Sequence, residues 1–138
     1  MKHRDHADSA PPDEPWRPLT ENERALLELL LMPSLGATRR VLAQIPHAEA
    51  RAGCTCGCGT IDLRVEPAVD AIALVAPGAA GMVEADVLDD AGEAIGGLIL
   101  WVRDGLLEGL EVHTWLDPPL PLPRSESVRP QPSARIDR

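Results

Sequence analysis

The sequence predicts an α+β domain in which an N-terminal helical hairpin packs on an antiparallel sheet of four or five strands. Three observations predict it. A capped, leucine-striped segment beginning at residue 20 is followed by a second run with helical spacing. After Pro46 the spacing of apolar residues changes from the helical period to the two-residue period of strands. Asp104-Gly105 then stands between two long apolar runs, where a favoured two-residue hairpin turn would join neighbouring strands.

The first helix opens at Thr20-Glu21-Asn22-Glu23, which has the spacing of a capping box: the Thr20 hydroxyl accepts from the Glu23 amide while the Glu23 carboxylate reaches back to the cap. Leu26, Leu27, Leu30 and Leu31 fall on one stripe, Glu28 faces away, and Pro33 ends the run. A second, shorter helix is expected from about Leu35 to Ile45, with Leu35, Thr38, Val41, Leu42 and Ile45 on one face and Pro46 as its stop. Residues 47–51 alternate weakly. Residues 60–66 alternate cleanly, with Ile61, Leu63 and Val65 inward. Val69 to Val75 fits an edge strand or an ordered loop. From Met82 onward Val83, Ala85 and Val87 oppose Glu84 and Asp86, and Asp89-Asp90-Ala91-Gly92 has turn chemistry. Ala94 to Arg103 is apolar on both faces, as a central strand is, and Leu106 to Trp115 completes the hairpin with Leu106, Leu110 and Val112 inward and Glu111 and His113 outward. Gly96-Gly97 inside a strand points to a bulge or a close backbone approach.

Proline usage divides the chain into three parts. Ten of the fourteen prolines lie in residues 1–18 and 117–138, so these are expected to be disordered tails around a single domain at 19–116. The second tail carries Pro118-Pro119-Leu120-Pro121-Leu122-Pro123, a polyproline-type sequence expected to stay solvated. Phe and Tyr are absent, so Leu, Ile, Val and Ala must fill the core, with Trp101 and Trp115 as the aromatics at hand.

The formal net charge of −9 resides in the expected domain, where six arginines face fifteen acids. A field of that sign repels nucleic-acid phosphate and anionic lipid; it favours a basic protein as partner or serves solubility alone. The N-terminus is charged and leads into Asp and Pro without an apolar signal segment, and apolar runs such as Leu29 to Met32 are far short of a membrane span. A cytoplasmic location is therefore expected, where thiols stay mostly reduced.

The one local feature with chemical potential is Gly53-Cys54-Thr55-Cys56-Gly57-Cys58-Gly59, which concentrates all three cysteines in five residues. In extended backbone, alternate residues point to one side, and the glycines allow the chain to curl so that three sulfurs converge. Zinc needs a fourth ligand, for which His47 and His113 are the candidates; Cys54, Cys56, Cys58 and His47 form the candidate metal set. Two other readings stand beside it: buried thiols acting as small apolar residues at the start of a strand, and a strained, reducible disulfide between alternate cysteines. The acids Asp62, Glu66, Glu84 and Asp86 occupy outward strand positions, which suits a solvated sheet face far better than paired acid–base catalysis. No glycine-rich phosphate loop is present, and no signature ties a histidine to the thiols as a catalytic base.

Three pieces carry a resemblance: Arg17-Pro18-Leu19-Thr20 with Glu23-Arg24, the cysteine run leading into Thr60-Ile61-Asp62-Leu63, and Asp104-Gly105-Leu106-Leu107 ahead of Leu110-Glu111-Val112. On these, residues 16–121 resemble a family of small uncharacterised bacterial proteins with a CxCGC-x-TIDL motif and a DGxLxxLEV hairpin, a domain of unknown function. The resemblance implies no activity. The hairpin ending also looks like that of small α+β immunity proteins of bacterial toxin systems, a looser likeness of shape. The expected function is a non-enzymatic protein-binding domain, immunity-like and facing a basic partner. The alternative is a zinc-binding domain built on the cysteine cluster.

Overall fold

The computed structural model describes residues 14–32, 37–53, 58–65, 80–116 and 118–137. The elements run β1 (Arg17–Pro18), α1 (Glu21–Leu31), α2 (Ala37–Leu42), β2 (Ala48–Ala52), β3 (Ile61–Val65), β4 (Ala80–Leu88), β5 (Ala94–Arg103), β6 (Leu106–Thr114) and β7 (Val128–Asp137). The strands form one sheet in the order β1-β2-β3-β6-β5-β4-β7, and every neighbouring pair is antiparallel. The fold is thus a mixed helix-and-sheet domain with a seven-stranded antiparallel sheet and two short helices. Among the described residues, no helix is long and apolar enough to cross a membrane.

Helix α1 forms where its cap is strongest. The Glu23 amide donates to the Thr20 hydroxyl at 3.0 Å, and the Thr20 amide donates to Glu23 Oε1 at 2.9 Å, closing the box. Glu23 is nevertheless buried, and Arg17 from β1 neutralises it through two parallel bonds of 2.8 and 2.7 Å. Burial by itself pushes the Glu23 carboxyl up, but the Arg17 guanidinium and the Thr20 amide outweigh it and hold the group below the ordinary glutamate value. A carboxyl lowered on folding stabilises the protein fully above its unfolded value of about 4.3, and this contribution is lost as pH falls through the folded value. Glu23→Gln is therefore expected to melt lower than wild type at pH 7, by about 1–3 kcal/mol. The gap should narrow on acidification below about pH 4. Parallel thermal melts at neutral and acidic pH check this; a gap that stays constant would deny the carboxylate its role.

The leucine stripe of α1, with Val41 of α2, shares one core with the inward side chains of the strands: Ile61, Leu63 and Val65 of β3, Val83, Ala85 and Val87 of β4, Leu98, Leu100 and Val102 of β5, and Leu110 and Val112 of β6. Both helices therefore lie on one side of the sheet. The β5–β6 turn is the expected two-residue type, with Asp104 and Gly105 at φ of 52° and 76°. Gln44, fully buried after α2, locks this turn from 61 residues earlier in the chain: its Nε2 donates to the Gly105 carbonyl at 2.6 Å and its Oε1 accepts from the Leu107 amide at 3.0 Å.

Several expectations need correction. The second helix stops at Leu42 instead of Ile45, because the 3-10 turn Ile45–His47 begins there with Pro46 in its first turn. The inward residue at the start of β6 is Leu107 in place of Leu106: Trp101 pairs with Gly109 but Val102 pairs with Leu107, and this bulge at Glu108 shifts the alternation by one. Neither tryptophan enters the core between sheet and helices. Trp101 sits half-buried on the opposite face, and Trp115 is 66% exposed just beyond β6. The expected strand at Val69–Val75 lies outside the described residues.

The tails are corrected most. Within the stretch expected to be a disordered N-terminal tail, β1 pairs with β2, and the Trp16 ring lies 4.3 Å from the Arg51 guanidinium and 4.6 Å from that of Arg64. In place of a solvated C-terminal tail, residues 118–124 form a strap: Gly59 N donates to the Leu120 carbonyl, Leu120 and Leu122 pack on the core, and Asn22 holds both the Pro123 carbonyl and the Ser125 amide. β7 follows, with Val128 buried opposite Val87. Two added edge strands raise the count from the expected four or five to seven. Prolines are tolerated there because an edge strand turns one row of its backbone groups to solvent.

Candidate interaction surface

Alternation along β4, β5 and β6 sends one set of side chains toward the helices and the other to the outer face. Cross-strand register arranges that outer set in three rows. Met82, Trp101 and Gly109 form the first, Glu84, Ile99 and Glu111 the second, and Asp86, Gly97 and His113 the third. Ile99 is at the centre of the grid, with Trp101 two residues along the same strand; Trp101 Nε1 donates to Glu111 Oε1 at 2.8 Å, which orients the ring and one carboxylate together. Met82, Ile99 and Trp101 are half-buried by their neighbours. Asp62 of β3 flanks the grid beside Gly109, and Arg129 of β7 flanks it beside Asp86. Since α1 and α2 share the core on the other side, neither described helix lies over this face.

The third row explains Gly97. A Cβ there would collide with the His113 imidazole, so the glycine provides the floor on which the ring rests. Gly96, on the helix side of β5, would bring a Cβ against the His113 carbonyl and the Leu120 side chain. The glycine pair in β5 is thus a close-packing device.

At the end of β6 an open groove of about 260 Å³ is lined by Cys58, His113, Thr114, Leu116 and Leu120. Leu116 of that lining is a large apolar residue left exposed, as is its chain neighbour Trp115. The Cys58 thiol donates to Thr60 Oγ1 at 3.3 Å, and Thr60, itself buried, accepts from the Val112 amide at 2.9 Å. Thr60 thereby continues the β3–β6 pairing through its side chain.

The candidate metal set lies only in part within the described residues, which hold Cys58 and His47. Cys54 and Cys56 lie outside them. His47 is exposed and immediately precedes β2, whereas Cys58 lies beyond the other end of that strand, next to Val112 and Thr114. Five residues of strand separate the two by about 16 Å, which takes His47 away from the thiol. His113, the other histidine considered, is the one that shares a groove with Cys58. Among the described residues, no group of three or more His, Cys, Asp or Glu side chains could hold a metal ion.

Of the outward acids read from alternation, Asp62, Glu84 and Asp86 do stand on the outer face, and Glu66 lies outside the described residues. The apolar centre of that face was hidden. Ile99 and Trp101 read as the second buried side of a central strand, and the clue to their place was that their register neighbours in β4 and β6 include Glu84 and Glu111. Trp16 was hidden among prolines. Comparison of the chain with family models, curated proteins and solved structures gives no match.

Proposed function

We propose that this protein is a non-enzymatic protein-binding domain, and that it presents the outer face of β4, β5 and β6 to a basic partner protein. The observation that carries this reading is the grid of Met82, Ile99 and Trp101 edged by Glu84, Asp86, Glu111 and Asp62. An apolar centre containing an aromatic anchor, with a charged rim, is the anatomy of a protein interface. The rim is mainly acidic and the whole chain carries −9, so a basic surface is drawn to it and phosphate-rich or anionic partners are repelled. The likeness of the β5–β6 hairpin to immunity proteins points the same way, since such proteins act by binding.

The test uses the full chain as bait in lysate of its source cell across a salt series, beside a Glu84→Lys/Glu111→Lys variant and a Glu28→Lys control on α1. One identified basic protein should be retained in stoichiometric amount by wild type and control. The double variant should hold it at least tenfold more weakly at low salt. Hydrogen exchange in the purified complex should slow at residues 82–86, 97–101 and 109–113. Retention unaffected by the double variant, or protection on the helix side, would overturn the reading.

A further inference from the structure

β7 covers the edge of β4 that lies away from β5. β7 pairs with it along a ladder that its own sequence interrupts. Pro130 and Pro132 remove two backbone donors, and the ladder is interrupted: Val83 pairs with Ala134 but Ala85 pairs with Pro130, so three residues of β7 face the single residue Glu84. Among the described side chains, Arg129 Nη2 and Gln131 Nε2 both donate to Asp86, each at 3.3 Å and near the surface. Immediately upstream the chain is clamped, because Asn22 holds the Pro123 carbonyl at 2.9 Å and the Ser125 amide at 3.1 Å. Between that clamp and β7 lies only the 3-10 turn Ser125–Ser127.

We propose that the β4 edge is a strand-receiving site whose second occupant is β7 of another copy of this chain, giving a strand-exchanged dimer. Three features support it. First, the charge is complementary: residues 19–116 hold the full −9, while residues 117–138 carry four arginines against three acids, and Arg129 lands on Asp86. Second, the β4–β7 contacts are the same whether the strand comes from its own chain or a neighbour, so exchange costs association entropy but no contact. Third, a short hinge held at one end by Asn22 is the arrangement that favours exchange, since the turn opens when the strand passes to a second molecule while the strap stays docked. The proposal concerns the sheet edge and stands independently of the reading of the outer face.

Two charge reversals test it. Asp86→Arg alone opposes Arg129, and Arg129→Asp alone opposes Asp86, so neither variant matches itself within a chain or in a homodimer. Mixed one to one, an exchanged heterodimer restores an arginine–aspartate pair at both β4 edges. Native mass spectrometry of the mixture should show the ratio of heterodimer to homodimers raised roughly tenfold above the ratio random pairing gives. Isotope-labelled and unlabelled wild-type chains, incubated together at high concentration, should likewise yield mixed dimers. Inserting Gly-Ser-Gly-Ser after Ser127 should lower the dimer fraction by relaxing the hinge. Wild-type chains that never form mixed dimers, or variant dimers at statistical proportions, would overturn the proposal; the labelled wild-type arm requires no altered residue to fold.

Discussion

Gln44→Leu is expected to destabilise the domain by about 2–5 kcal/mol, a large share of the roughly 5–15 kcal/mol that holds a small domain together. Leucine fits the volume but makes no hydrogen bond. The Gly105 carbonyl would lose its donor and the Leu107 amide its acceptor, both in a site that excludes water. Each orphaned group costs about 1–3 kcal/mol, well above what the added apolar contact returns. Equilibrium denaturation in urea measures the loss. Hydrogen exchange locates it, because the Leu107 amide should exchange faster even under conditions where Leu98 and Leu100 stay protected. Wild-type stability in Gln44→Leu would mean that the β5–β6 turn needs no tether.

Gly59→Ala is expected to lift the strap and β7 while leaving β4, β5 and β6 paired. A Cβ at residue 59 would collide with the backbone of Pro121 and Leu122, and backbone cannot rotate away as a flexible side chain can. The close approach is itself held by the bond from Gly59 N to the Leu120 carbonyl, so the methyl group and the bond compete for the same space. Overpacking of this kind costs about 1–3 kcal/mol if the strap shifts locally. Where it detaches, Leu120, Leu122 and Val128 lose their burial as well. Limited proteolysis should then cut within residues 118–127 at least tenfold faster than in wild type, with the remaining sheet intact by circular dichroism. Unchanged cleavage would show that the strap is held elsewhere. Because β7 follows the strap, this variant also separates the two ends of the structure energetically: α1 should persist through its own capping box and leucine stripe.

These two sites share a feature with the outer face and the β4 edge: each joins residues far apart in the chain. Gln44 meets Gly105 and Leu107, Gly59 meets Leu122, and Glu84, Ile99 and Glu111 come together only through sheet register. Such pairings have no local signature. Gln44 resembles any polar residue at the end of a helix, and Gly59 is one of three glycines, with Gly53 and Gly57, that flank or separate the cysteines, with nothing to mark it as a docking point.

What sequence alone determined is whatever a few neighbouring residues settle among themselves. The Thr20–Glu23 box and the leucine stripe define α1, the alternation of Ile61, Leu63 and Val65 and of Val83, Ala85 and Val87 defines strand faces, and Asp104-Gly105 defines a hairpin. Each rests on interactions spanning one turn of helix or two residues of strand, so each was legible. Only the tertiary structure decided the rest: that the proline-rich ends become β1, the strap and β7, that His113 rather than His47 meets the Cys58 groove, and that Trp101 faces outward between acids. Proline suppresses local order but does not oppose docking on an edge that supplies burial and hydrogen-bond partners from elsewhere. Strand order, bulges and side-chain collisions set those placements, and they arise when the sheet closes, at sequence separations where propensity carries no information.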